Sequence, residues 1–180
     1  SEAQRLFRSR EFYEVLKYEN PRVFHLYDNM RKWSLDEQAM EEFLVGIKQK
    51  ECIFLTLSGE GMLFEDIKEA SKGTLKIIKN TWGFMPIEVR LEGGFITTGR
   101  TRLTTDDFVG NMYEMEFLVH PERLHGGRNF GKILFVTPYE VLAYEVEVRQ
   151  NCEYDEDRRE VTFLMAQIMK EYISYMAGRM

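Results

Sequence analysis

Between Ile87 and Glu92 the chain alternates without a break. Ile87, Val89 and Leu91 fall on one side, Glu88, Arg90 and Glu92 on the other. A period of two is what a half-buried antiparallel strand requires. Patterning of this kind predicts strands near residues 53–58, 62–64, 74–80, 86–92, 95–98, 112–119, 130–137 and 140–149. The gaps hold turn chemistry at Trp82-Gly83, Gly93-Gly94, Gly99, Gly126-Gly127 and Thr137-Pro138. A polar stretch ending in Glu69-Ala-Ser-Lys-Gly73 reads as a further turn.

On either side of this region the period lengthens to that of a helix. Ala3, Leu6 and Phe7 begin an apolar stripe that Phe12, Val15 and Leu16 continue after Ser9, a candidate N-cap. Asn20-Pro21 breaks the element and lets Pro21 open the next, in which Val23, Leu26 and Met30 share a face of 21–33. Ser34-Leu-Asp-Glu37 has the spacing of a capping box and precedes Met40, Phe43, Leu44 and Ile47 at helical spacing. Lys48 and Lys50 sit near that helix's end, where the dipole favours cations. After Gln150 the acidic run Glu153–Glu160 suits a helix N-terminus. Val161, Leu164, Ile168, Tyr172 and Met176 then repeat every three or four residues, predicting an amphipathic helix that ends near Gly178.

These elements predict an α+β chain in three parts: a helical segment at 1–50, a sandwich at 51–150, and a C-terminal amphipathic helix at 151–180 that starts a following helical region. Seven or so short strands within about 100 residues, punctuated by glycine, make an antiparallel immunoglobulin-like β-sandwich. An odd strand count brings the chain in at one pole and out at the other. Cys52 and Cys152 would then lie too far apart to bridge, and two lone cysteines make no disulfide framework.

Composition narrows the function classes. The 180 residues carry 24 basic and 30 acidic side chains, a net charge of -6. A mildly acidic chain without a basic block is a poor partner for nucleic acid. No apolar run is long enough to insert in a membrane. No signal peptide is visible, which slightly favours the cytoplasm, although the chain reads as a piece excised from a longer protein.

Candidate chemistry is thin. His120, Glu122 and His125 share one short loop, but a metal needs a better-spaced ligand set supported from another element. His25 lies in a helical stretch beside aromatic residues. Gly126–Gly131 is glycine-rich but leads into a strand, whereas a phosphate cradle opens a helix. Asp106-Asp107 lacks the alternating oxygen ligands of a calcium loop. No catalytic set, metal or cofactor emerges. The aromatic residues offer one alternative: Trp82, Phe84 and Tyr139 lie near turns and could form a sugar platform, while the other rings fall at alternating strand positions.

Two segments carry a resemblance. Asn80-Thr81-Trp82-Gly83 followed by Pro86-Ile87-Glu88-Val89 is one. Gly127-Arg128-Asn129-Phe130-Gly131-Lys132-Ile133, ending in Val146-Glu147-Val148, is the other. With them, residues 73–149 resemble the Ig-like modules of large bacterial proteins. The whole chain resembles an uncharacterised family of multidomain bacterial proteins, a domain of unknown function, in which such modules precede a long helical region. The resemblance implies no catalytic residues. The Cys…Trp…Cys core of antibody domains is absent.

The expectation is a non-enzymatic structural or protein-interaction module. Its partners would be neighbouring modules of the parent chain or another subunit, with dimerisation through Val161, Leu164, Ile168, Tyr172 and Met176. The alternative is a carbohydrate-binding accessory module of a larger enzyme.

Overall fold

The computed structural model describes residues 1–151 and 156–178. Four short helices come first: α1 (Glu2–Arg8), α2 (Arg10–Glu19), α3 (Pro21–Met30) and α4 (Asp36–Gly46). Three are capped as their sequence suggests. The Ser9 hydroxyl accepts from the Phe12 amide at 3.1 Å, and the Asn20 side chain accepts from Val23 at 3.2 Å with Pro21 in the first turn. Ser1 caps α1 in the same way, accepting from Gln4. The helices close into a ring, α1 on α2, α2 on α3, α3 on α4 and α4 on α1. Phe7, Tyr27, Ala39 and Phe43 fill the centre. The rings meet edge to face, Phe7 on Tyr27 at 5.1 Å and Phe12 on Tyr27 at 5.2 Å, the arrangement their quadrupoles favour.

α4 departs from the expected capping box. Its N-cap is Leu35, with no side-chain bond, and Ser34 is exposed. Arg8 is the reason: its guanidinium donates to the carbonyl of Trp33 at 2.9 Å and, through Nε, to the Asp36 carboxylate at 2.9 Å. Glu37, which would complete the box, accepts instead from the Gln4 side chain. Tertiary contacts thus displace a local motif by one residue.

Two sheets follow. One has the order β1 (Leu55–Leu57), β3 (Ser71–Lys79), β7 (Met112–Val119), β5 (Ile96–Thr98). The other runs β2 (Gly61–Glu65), β9 (Val141–Gln150), β8 (Gly127–Val136), β4 (Ile87–Glu92), β6 (Arg102–Leu103). All ladders are antiparallel except β2 on β9. The inward-facing residues of both sheets, among them Leu75, Ile77, Ile87, Phe117, Ile133, Phe135, Val146 and Val148, form one buried core. This is the Ig-like antiparallel sandwich with flanking helices that the alternation predicted.

The strand pattern runs past the seven or so expected. β6 is two residues long, too short to show a period, and is held by pairing with Ile87 and Glu88. The expected turn at Glu69–Gly73 gives way to strand from Ser71 onward. Gly73 serves close packing there: it sits opposite Phe117 in register, and a Cβ would fall 2.2 Å from that ring's Cζ.

Entry and exit lie at opposite poles. The Leu55 amide donates to the Glu140 carboxylate at 2.8 Å, beside the start of β9. The chain leaves after Gln150, at the far end of this ten-residue strand, roughly 30 Å away. Cys52 is a half-buried free thiol, while Cys152 and residues 153–155, the start of the acidic run, lie outside the described residues. The last helix, α5, spans Glu156–Ala177.

Candidate functional site

At the entry pole the structure gathers Trp82, Phe84 and Tyr139 around α4. Trp82 is 66% exposed, with the Lys50 ammonium 5.0 Å from its ring centre. Phe84 is half-buried, and its amide donates to Glu41 Oε2 at 3.2 Å. Tyr139 is 38% exposed and its hydroxyl donates to the Glu42 carboxylate. Burial, then Glu42, hold that hydroxyl well above the ordinary tyrosine pKa. Among the described residues no ring contact joins these three aromatics to one another.

The same pole holds a group of buried charges that sequence reasoning missed. Glu41 pairs with Lys50, the side chains only 8% and 2% exposed. Lys79 lies beside them, buried, with Nζ 3.4 Å from the Gly83 carbonyl and 4.7 Å from the centre of the Phe108 ring. Burial, and then Lys50, lower its pKa, while Glu41 pulls it back up. Gly83 has φ +129°, and a Cβ there would fall 2.5 Å from Lys50 Nζ. Glycine is therefore needed for the backbone, and a Cβ would in addition press on the Lys50–Glu41 pair. In the sequence Glu41 belongs to an ordinary polar helix face and Trp82-Gly83 to an ordinary turn. Nothing in either period links residues 43 positions apart. Chemically the group is a clamp: one carboxylate faces two ammoniums and a backbone amide, and ties α4 to the sandwich.

The other sequence candidates are held in local structure. His120 bonds Thr97 Oγ1 through Nε2 at 2.7 Å and Glu122 through Nδ1 at 3.1 Å. His125 Nδ1 bonds the Gly126 carbonyl at 3.0 Å. Asp107 accepts from the Thr104 amide at 2.7 Å and pairs with Arg100. Gly127 has φ +93° and opens β8. Among the described residues no group of three or more His, Cys, Asp or Glu is placed to hold a metal.

α5 presents the second surface. Every side chain described in it, residues 161 and 163–177, is exposed. Ile168 and Tyr172 stand 67% and 62% exposed, and Val161, Leu164 and Met176 are exposed with them. Met165, Met169 and Ile173 are exposed too and widen the stripe toward half the helix circumference. Their signal is the same spacing shifted by one residue. No described helix is long and apolar enough to cross a membrane.

The sequence profile of the N-terminal part of a family of unknown function, DUF5717, matches residues 1–180. The chain belongs to this family. No curated protein sequence matches it. Among solved structures it is similar to the E. coli chaperone DraB, at 10% identity and a TM-score of 0.43, covering 54% of this chain and 56% of that one. It is also similar to the ASH/PapD-like domain 7 of human CEP192, at 8% identity and a TM-score of 0.41, over 55% of this chain and 87% of that one. A third, the C. elegans MSP family member WR4, shares 5% identity with a TM-score of 0.39, over 52% and 96% of the two chains. The chain thus spans little more than half of the chaperone's length.

Proposed function

We propose that this domain is a non-enzymatic structural module that makes protein contacts, with the apolar face of α5 docking on the same helix of a second copy. The observation that carries this is α5 itself, a 22-residue helix whose described apolar side chains, from Val161 to Met176, are exposed. A continuous exposed apolar patch marks an interaction surface, and covering it is favourable by about 25 cal/mol per Å². The steps from Val161 to Met165, Ile168, Tyr172 and Tyr175 are four, three, four and three residues. That is the spacing of a coiled-coil seam, which favours another helix as occupant. Light scattering of the full chain beside a chain ending at Gln150 tests it. A dimeric full chain and a monomeric truncation are expected. A monomeric full chain at high concentration rejects the second copy and turns the face toward the neighbouring part of the parent protein.

A sugar platform at Trp82, Phe84 and Tyr139 is the second reading, supported by the exposure of Trp82. The Lys50 ammonium over that ring and the bond from Tyr139 to Glu42 weigh against it, because both occupy groups that a sugar would use. A glycan screen with Trp82→Ala as control decides. Binding that the substitution abolishes supports the platform, and no binding removes it.

A further inference from the structure

The first sheet has a gap in its edge. β5 covers β7 only at Phe117, Leu118 and Val119. Gly99 then leaves the ladder, and the chain crosses to the other sheet, where the Thr101 carbonyl accepts from Val89 at 2.8 Å and β6 pairs with β4. β7 continues for five more residues, Met112–Glu116, with β3 on one side and, among the described residues, no strand on the other.

The register says which backbone groups face the gap. His120 donates to the Phe95 carbonyl at 2.8 Å on the β5 side, and Lys79 donates to the Asn111 carbonyl at 2.8 Å on the β3 side. Alternation then turns the amides and carbonyls of Glu114 and Glu116 away from β3. Met112 exchanges its own pair with Val109 at 2.9 and 3.3 Å. Among the described residues no bond is seen to the backbone of Glu114 on the open side, whereas the Thr98↔Phe117 pair turns the Gly99 amide toward the Glu116 carbonyl and leaves the Glu116 amide facing the gap. Two donors, Glu114 and Glu116, and the Glu114 acceptor therefore stand at the spacing of an antiparallel ladder along a groove of about 570 Å³, bounded by Thr98, Gly99 and Arg100.

Charge selects the occupant. On the outer face Lys72 and Lys76 form a positive row on β3, and Glu114 and Glu116 form a negative row on β7, with Lys72 paired to Glu116. A further strand would place its outward side chains beside the two glutamates, where basic residues are favoured. Two copies of this edge would set glutamate against glutamate, which disfavours self-pairing.

We propose that the β7 edge at Glu114–Glu116 is a docking site for an extended segment of another protein, with basic side chains on its outward positions, added to the sheet by backbone pairing. The site is separate from α5, so either surface can fail without the other.

The probe is a synthetic peptide, Lys-Val-Lys-Val-Lys-Val-Lys, titrated into the full chain while amide hydrogen exchange is followed. The expected result is saturable binding with exchange at Glu114 and Glu116 slowed at least tenfold. Tyr113 and Met115, already bonded to β3, should change little. Methylating the valine amide nitrogens or, in a second peptide, the lysine ones should abolish binding in at least one case. Glu116→Pro removes one donor from the gap without touching the β3 ladder and should abolish binding. The pair Glu114→Lys and Glu116→Lys keeps the backbone and should weaken it at least tenfold, which reads the charge independently of whether the proline variant folds. No binding at millimolar peptide overturns the proposal. So does binding that protects neither Glu114 nor Glu116, or that is indifferent to the lysine substitutions.

Discussion

The helices before the sandwich and the helix after it carry the same kind of pattern, apolar residues at three- and four-residue spacing, yet they end in opposite environments. Phe7, Tyr27 and Phe43 are buried, whereas Ile168 and Tyr172 lie more than 60% in solvent. α1 to α4 close on one another and are tied to the sandwich by Glu41, Lys50 and Glu42. The described side chains of α5 bury against nothing comparable. An amphipathic period names the face that wants cover but not the surface that covers it.

The largest way to break this contrast is at the clamp. Glu41→Ala leaves Lys50 and Lys79 buried without their carboxylate and should cost about 3–5 kcal/mol. Urea unfolding of the full chain measures it. A loss no greater than at an exposed site would mean that the charges do not hold the bundle in place.

Next is the bundle core. The Tyr27 hydroxyl donates to the Phe7 carbonyl at 2.5 Å in a fully buried site. Tyr27→Phe keeps the ring contacts but orphans that carbonyl, so a loss of about 1–2 kcal/mol is expected from thermal or urea unfolding.

Smaller again is a pH effect at Lys79. Its folded-state pKa lies below the ordinary lysine value because of burial and then Lys50, with Glu41 the opposing neighbour. Across the window from that lowered value up to about 10.4 the unfolded chain binds more protons, so stability rises with pH. It is lost again as pH falls through the folded-state value. Compared with Lys79→Met, the wild type should gain in urea midpoint as the buffer enters that alkaline window. A flat difference would show Lys79 to be better solvated than its burial implies.

The smallest effect on stability belongs to α5. Ile168→Glu should change the unfolding free energy of the monomer by less than about 0.5 kcal/mol, as exposed substitutions do. The same change should abolish dimerisation in light scattering. A large loss of monomer stability would instead place Ile168 in an internal contact and erase the difference between the two helical ends.

The sandwich was legible because its signal is local and repeated. Inward positions such as Ile87 and Val89, or Val146 and Val148, recur at a period of two, and glycine and proline mark most of the corners. Legibility fell where a partner far along the chain decides. Gly73 looked like the end of a turn until Phe117 stood over it. Ser34 looked like a cap until Arg8 and Gln4 engaged its neighbours. Of the candidate surfaces, the stripe on α5 was readable directly, because a helix face is set by spacing alone. The clamp was not, since Glu41 and Phe84 meet only once the bundle rests on the sandwich. The open edge at Glu114 and Glu116 was equally hidden, because an alternating strand reads the same whether its flank is paired or bare.

By itself, then, the sequence determined most of the strands, the helical ends and the apolar face of each, all properties of neighbours a few residues apart. Tertiary structure alone decided which charges enter the interior, which strand edge stays open and which apolar stripe goes uncovered. Those outcomes depend on pairing between residues separated by tens of positions, and hydrophobic spacing carries no record of that distance.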